Sequence, residues 1–117
     1  MIIVGFEEFL QYPEGTIFSE YYPEFTEFDD LCIKGRNVKE IAFYFVPISS
    51  SIEFHNTEQL LTDLEKADRK GKRLRIDLGC TVKDCEFNKD RRFAMWELEE
   101  LKSLQNKLAI ACEFAEV

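Results

Sequence analysis

The sequence has few glycines, and none of them belongs to a phosphate-binding motif. The five glycines are scattered along the chain and match neither the Gly-x-Gly-x-x-Gly nor the Walker A spacing that cradles phosphate groups. Long apolar runs are also missing, since no segment approaches the roughly 18 consecutive apolar residues that cross a bilayer. The apolar start, residues 1–5, is short and lacks a basic region, so we do not expect a signal peptide. These absences predict a cytoplasmic protein without a nucleotide-binding loop.

Residues that carry chemistry are scarce as well. His55 is the single histidine, and Cys80 and Cys85 form the one cysteine pair with metal-like spacing. Because zinc usually needs four ligands, we interpret this pair as two loop thiols in a reducing compartment. A Cys–His catalytic pair would need an activating environment, which neither cysteine shows in its sequence neighbourhood. We therefore predict that the protein is not an enzyme and has no catalytic residue, metal or cofactor.

Charge is distributed unevenly along the chain. The formal net charge is −8, from 23 acidic and 15 basic side chains. Residues 1–33 carry eight acids and no Lys or Arg, which leaves 15 acids and 15 bases for the rest of the chain. A negative surface repels nucleic acid and anionic membranes and attracts basic protein surfaces. We therefore predict a protein partner with a basic surface, and no direct contact with nucleic acid or membrane.

Apolar periodicity and turn residues predict an α+β fold. Three helices are expected, at residues 5–11, 56–71 and 91–113. Five strands are expected, at residues 1–5, 16–22, 31–35, 41–46 and 74–78. The resulting order is βαβββαβα, with an antiparallel sheet of about four to five strands. The two long helices should pack on one face, beside a short N-terminal helix. The length of 117 residues is typical of a single domain.

The strongest candidate for a binding surface is the acidic–aromatic segment, residues 20–30, which alternates carboxylates with large rings. Its predicted partner-binding residues are Glu20, Tyr21, Tyr22, Glu24, Phe25, Glu27, Phe28, Asp29 and Asp30. Tyr and Phe anchor interfaces because they bury a large area with few rotatable bonds. Carboxylates around them would steer a basic partner or occupy phosphate positions on it. The alternative is that the rings fold inward while the acids only face water.

A second candidate is a basic cluster in which six bases fall within residues 66–75. A phosphate-binding patch would use four of them, Arg69, Lys70, Arg73 and Arg75. Such a patch would suit a small anionic ligand such as a nucleotide. The alternative, which we prefer, is that these bases are charges at a helix C-terminus and on a solvated strand face.

Three short patterns mark the opening of the chain. They are Glu8-Phe9-Leu10, Pro13-Glu14-Gly15-Thr16-x-Phe18 and Leu31-x-Ile33-Lys34-Gly35. This opening resembles small accessory proteins of tailed phages and prophages over residues 1–35. The resemblance carries no functional residue over to this chain. It implies a setting in which small acidic proteins inhibit host defence, anti-CRISPR proteins among them, by analogy of size, charge and origin.

Together these observations predict a phage- or prophage-encoded inhibitor without enzymatic activity, acting in the host cytoplasm. It would bind a host defence protein, such as a CRISPR effector, through the acidic–aromatic segment. One alternative is a sponge that sequesters a small nucleotide signal through the basic cluster. Another is a phage structural or assembly factor that works as a homo-oligomer. The sequence leaves open the oligomeric state and whether the rings between Tyr21 and Phe28 face solvent.

Overall fold

The computed structural model describes residues 1–48, 56–76 and 79–116, which form seven strands and three helices. The strands are β1 (Ile2–Gly5), β2 (Ile17–Tyr22), β3 (Glu27–Phe28), β4 (Cys32–Val38), β5 (Ala42–Pro47), β6 (Val82–Asp84) and β7 (Arg92–Met95). The helices are α1 (Phe6–Leu10), α2 (Thr57–Lys70) and α3 (Leu98–Ala115).

All described strands belong to one antiparallel sheet. Its order is β1-β7-β2-β4-β5-β6, and the short β3 pairs with the free half of β2 beyond β4. The predicted α+β class and antiparallel pairing are confirmed. The predicted number of four to five strands is wrong, because three short strands were missed. They are β3 in a segment expected to be irregular, β6 in a segment expected to be a polar loop, and β7.

The largest error concerns β7, which lies where the last helix was expected to begin. Helix α3 starts at Leu98 rather than at residue 91. Residues 92–95 instead run between β1 and β2, with Ala94 opposite both Ile3 and Ser19. Phe93 and Met95 point to one face and Ala94 to the other, which is the two-residue period of a strand. The apolar residues of this segment fit a helical period as well as a strand period. Pairing with β1 on one side and β2 on the other makes the segment a strand.

Of the strand predicted at residues 74–78, the described residues show a single bridge residue. Ile76 makes an isolated bridge, and residues 71–75 have no regular structure. Residues 77 and 78 of the predicted strand lie outside the described residues. The strand next to β5 at this edge of the sheet is instead β6, which pairs with β5 through Phe43 and Asp84 among others.

The sheet curls strongly around its apolar face. The ring centroids of Phe43 on β5 and Phe93 on β7 are 6.1 Å apart, although β2 and β4 lie between these strands. In a flat sheet three strand spacings would separate them by roughly 14 Å. The face that carries both rings is therefore concave, and this curl brings the start of β7 close to the end of β6.

The concave face is filled by phenylalanine side chains. The buried apolar cluster consists of Val4, Phe6, Phe9, Phe18, Phe43, Phe93 and Met95. Two of these, Phe6 and Phe9, come from α1, which follows β1 directly and lays both rings into the curl. Phe9 stacks on Phe93 at a centroid distance of 4.0 Å and packs edge-on against Phe18 and Phe43 at 4.8 Å. Burial of such rings dominates the energetics of a core.

The two long helices do not pack on the sheet as predicted. None of the described residues of α2 or α3 is buried, and the one helix with buried residues is α1. Five phenylalanines already fill the concave face, so that face is not open to either helix. The expected N-cap Asn56 is confirmed, since its side chain accepts a hydrogen bond from Gln59 N–H at 2.8 Å. Gly71 ends the helix in a left-handed conformation with φ 70°, also as expected.

An irregularity in β4 connects the sheet to α1. The pairing with β5 shifts between Lys34 and Asn37, and the Cβ that Gly35 lacks would lie 2.9 Å from the carbonyl oxygen of Tyr44. The Lys34 ammonium donates to Asn37 Oδ1 at 2.7 Å, and Asn37 Nδ2 donates to the carbonyl of Leu10 at 2.6 Å. This chain of hydrogen bonds holds the end of α1 over the sheet. Burial lowers the pKa of Lys34, against the field of Glu14.

Candidate functional site

The acidic–aromatic segment forms a hairpin at the end of β2. Tyr21 lies opposite Phe28 and Tyr22 opposite Glu27 in the β2–β3 register. Two turn hydrogen bonds close the loop, from Phe25 N–H to the Tyr22 carbonyl at 3.2 Å and from Thr26 N–H to the Pro23 carbonyl at 3.3 Å. Pro23 suits the first inner position of such a turn because its φ is fixed. Thr26 takes a left-handed conformation with φ 49°, which turns the chain back into β3.

The rings of this hairpin are largely exposed. Phe25 at the tip is 67% exposed and Phe28 is 49% exposed. Tyr21 packs against Phe28 with a centroid distance of 4.9 Å, so these two rings form one aromatic surface. Tyr22 is half-buried, and its hydroxyl donates to Asp29 Oδ2 at 3.1 Å. The four rings therefore do not enter the phenylalanine core, and three of them line the outside of the hairpin.

The five acids of the segment divide into two groups. Glu24, Glu27 and Asp30 are exposed on the hairpin. Asp29 is exposed too, but its oxygens accept hydrogen bonds from the Tyr22 hydroxyl and from Asp30 N–H. Glu20 points the other way, because it lies opposite Phe93 in the β2–β7 register and shares its face of the sheet. Glu20 is thus part of the interior rather than of the binding surface.

The interior partner of Glu20 is Arg91, which sequence analysis missed. Arg91 is 8% exposed, and its guanidinium forms a bidentate pair with Glu20, with both N···O distances at 2.9 Å. A second bidentate pair joins it to Asp84 at 2.9 and 2.8 Å, and Nη1 also donates to the carbonyl of Glu86 at 2.7 Å. All five N–H groups of the guanidinium are therefore used.

This ion cluster closes the curl of the sheet. Arg91 precedes β7, Asp84 ends β6 and Glu20 lies on β2, so one side chain holds three strands. The rings of Phe6, Phe43 and Phe93 lie beneath the guanidinium at centroid distances of 5.0 to 5.8 Å. No spacing in the sequence marks this cluster, because Glu20 and Arg91 are 71 residues apart.

The cluster changes the pKa of its members. Burial opposes ionisation of Asp84, but hydrogen bonds from Arg91 and from Glu86 N–H outweigh it and hold the pKa below its ordinary value. Burial likewise disfavours the charged guanidinium, but hydrogen bonds to Glu20 and Asp84 outweigh it and raise the pKa of Arg91. Asp84 and Arg91 therefore both stay charged at neutral pH.

A recess of about 90 Å³ opens beside this cluster, between the hairpin and β5. Its lining combines aromatic, acidic and thiol side chains: Phe18, Glu20, Asp29, Asp30, Cys32, Phe43, Phe45, Asp84, Arg91 and Phe93. Burial, followed by the fields of Asp29 and Asp30, raises the pKa of the Cys32 thiol to about 11. Burial, the field of Glu20 and the hydrogen bond to Asp29 raise the pKa of Tyr22. In both shifts burial is the largest cause, and neighbouring carboxylates add to it.

The basic cluster does not form a comparable site. Arg69 and Lys70 lie in the last turn of α2, and Arg73 and Arg75 follow beyond Gly71. Cations at this end of a helix interact favourably with its dipole, whereas an anionic ligand there would be repelled. Arg69 also forms an exposed pair with Glu65 at 3.8 Å. The placement favours the structural interpretation of these bases, and the nucleotide sponge stays an untested alternative.

The remaining chemistry-bearing residues are dispersed. Cys80 and Cys85 are free thiols on either side of β6, and His55 lies outside the described residues. Within residues 1–48, 56–76 and 79–116, no group of three or more His, Cys, Asp or Glu side chains is arranged to hold a metal ion. No helix in the same ranges is both long and apolar enough to cross a membrane.

Helix α3 leaves apolar side chains uncovered. Leu108 is 57% and Phe114 76% exposed, and every described residue from 105 to 116 is exposed. Its first turn is held to the sheet by the Met1 amino group, which pairs with Glu97 at 2.8 Å and with Glu100. The structure thus leaves the homo-oligomer alternative as a prediction.

Comparison with known proteins adds no relative to this description. No protein-family model matches the chain, and neither a curated protein nor a solved structure gives a significant match.

Proposed function

We propose that this protein is a phage- or prophage-encoded inhibitor that binds a basic surface of a host nucleic-acid-handling protein, such as a CRISPR effector. The acidic–aromatic segment would make the contact, without catalysis by this chain. One observation carries the proposal, namely that Phe25 and Phe28 are exposed on the same hairpin as the carboxylates of Glu24, Glu27 and Asp30.

The rings and the carboxylates of the hairpin would contribute to binding in different ways. Exposed phenylalanines offer a large apolar area and have few rotatable bonds to immobilise, so they suit the centre of an interface. Exposed carboxylates raise the association rate with a basic partner and suppress acidic ones. The hairpin has turn hydrogen bonds and a ring pair of its own, so little ordering is needed on binding.

The proposal is tested by charge reversal at the three exposed acids. The triple variant Glu24→Lys, Glu27→Lys, Asp30→Lys would be compared with the wild type in capture from a bacterial lysate that carries defence systems. Captured proteins would be identified by mass spectrometry, and their affinities measured with purified material. We expect a basic nucleic-acid-binding protein that is released by salt and binds the variant at least about tenfold more weakly.

A matched control separates the effect of charges on the hairpin from the effect of the net charge of the protein. The variant Glu40→Lys, Glu113→Lys, Glu116→Lys makes the same charge change at exposed positions outside the hairpin. It should keep its affinity within about twofold, because screening limits distant charges. Equal loss in both variants, or no loss in either, would contradict the assignment of the hairpin. All six positions are exposed, so circular dichroism and melting should show both variants folded.

A further inference from the structure

The recess beside Arg91 has the composition of a site for an organic cation. Its base is formed by the half-buried Phe45 and by rings of the phenylalanine core, of which Phe43 and Phe93 are each only 1% exposed. Its rim is formed by carboxylates of β2, β6 and the hairpin. Aromatic faces attract cations through their quadrupole, and they do so more strongly where water is excluded.

These rings already face one cation of the protein itself. The guanidinium of Arg91 lies over Phe93 at 5.0 Å and over Phe43 at 5.8 Å, and both rings also line the recess. All N–H groups of the Arg91 guanidinium are hydrogen-bonded, to Glu20, Asp84 and the carbonyl of Glu86. The carboxylates of Glu20 and Asp84 are therefore already paired. A second cation would find the carboxylate of Asp30 at the rim, which accepts no hydrogen bond from the described residues.

The negative charge of the recess is not balanced by Arg91. Four carboxylates line it, those of Glu20, Asp29, Asp30 and Asp84, against one guanidinium. In the part of the chain that the structure describes, the Asp30 carboxylate accepts no hydrogen bond and forms no ion pair. Burial is the largest cause of the raised pKa of Cys32, and the fields of Asp29 and Asp30 add to it.

We propose that this recess binds a primary ammonium group on a short alkyl chain, as presented by a lysine side chain of the basic partner. The size fits, because about 90 Å³ is close to the volume of three water molecules, or of an ammonium with two methylenes. The chemistry fits as well, since an ammonium is a compact point charge that needs no bidentate acceptor. The methylenes would lie against Phe45, the half-buried ring of the lining, and the ammonium beside Asp30.

This inference rests on the proposed function for the identity of the partner, but the recess can be tested without one. The probe is n-butylammonium, which reproduces the lysine side chain, titrated into isotopically labelled protein and followed by amide chemical shifts. The neutral isostere 1-butanol is titrated in parallel. We expect saturable shifts at residues around the recess with n-butylammonium, and no saturable shifts with 1-butanol.

Two matched variants locate the site. Asp30→Asn removes a carboxylate from the rim, and Glu24→Gln removes one from the same hairpin outside the recess. We expect Asp30→Asn to weaken n-butylammonium binding at least about fivefold and Glu24→Gln to leave it within about twofold. Shifts that never saturate, that are shared by 1-butanol, or that are equally sensitive to both variants would overturn the inference.

The two proposals fail in different ways. If n-butylammonium binds but no basic protein is captured by the hairpin, the recess is a cation site and the proposed function is wrong. If a basic protein is captured through Glu24 and Glu27 while n-butylammonium does not bind, the function holds and the lysine site is wrong.

Discussion

Replacing Arg91 tests whether one ion cluster holds the curled sheet together. The variant Arg91→Met keeps much of the apolar stem but leaves Glu20 and Asp84 facing each other, with side chains only 18% and 20% exposed. Removing one partner of a buried ion pair costs about 3–5 kcal/mol because the remaining charge is uncompensated. Since both carboxylates keep some solvent contact, we expect the lower end, about 3 kcal/mol.

Urea unfolding at neutral pH measures this loss. With an m value of about 1.5 kcal/mol per molar, a loss of about 3 kcal/mol lowers the midpoint by roughly 2 M. The exposed neighbour Arg92 provides the control, and Arg92→Met should change stability by no more than about 0.5 kcal/mol. Equal midpoints for the two variants would refute the assigned role of Arg91.

The pH dependence gives the same test a second readout. The folded-state pKa of Asp84 is below its ordinary value of 3.8, so its stabilisation is present above that pH and lost as pH falls through the folded-state pKa. In Arg91→Met the carboxylates gain from protonation instead. The stability difference between wild type and variant should therefore shrink below about pH 4. A difference that stays constant down to low pH would show that the loss comes from packing rather than charge.

Two further predictions concern β4. Gly35→Ala should destabilise the fold by about 1–3 kcal/mol, because the added Cβ would lie 2.9 Å from the backbone oxygen of Tyr44. An unchanged urea midpoint would show that β4 and β5 can move apart here without cost. The pKa of Cys32 is raised to about 11, so the folded state favours the protonated thiol over the thiolate. The stability that the thiol contributes to the folded state is therefore lost as pH rises from about 9 through 11. Wild type should therefore lose stability relative to Cys32→Ala over this range, by at most about 1.4 kcal/mol per pH unit, whereas parallel melting curves would contradict the shift.

The elements that were predicted correctly are those whose local pattern permits one interpretation. Strands β2 and β5 combine β-branched and aromatic residues between turn signals, and α2 has both of its caps. The segment at residues 92–95 was assigned wrongly because Ala94 also continues the apolar stripe of the helix that follows. Its status as a strand depends on β1 and β2, which lie more than 70 residues earlier in the chain.

The candidate site shows the same limit. The acidic–aromatic segment was visible as a run of rings and carboxylates, because the residues of a hairpin are close in sequence. Which of those acids face a partner was not visible. Glu20 is followed by an aromatic residue just as Glu24 is, yet its position opposite Phe93 turns it toward Arg91.

The sequence by itself determined the α+β class, the caps of α2, the confinement of net charge to residues 1–33 and the location of the acidic–aromatic segment. Each of these depends on composition or on neighbours a few residues apart. The tertiary structure alone decided the curl of the sheet, the Glu20–Arg91–Asp84 cluster and the recess beside it. These features join residues separated by most of the chain, and a charge can stay buried there because strands brought together by the phenylalanine core supply its partners.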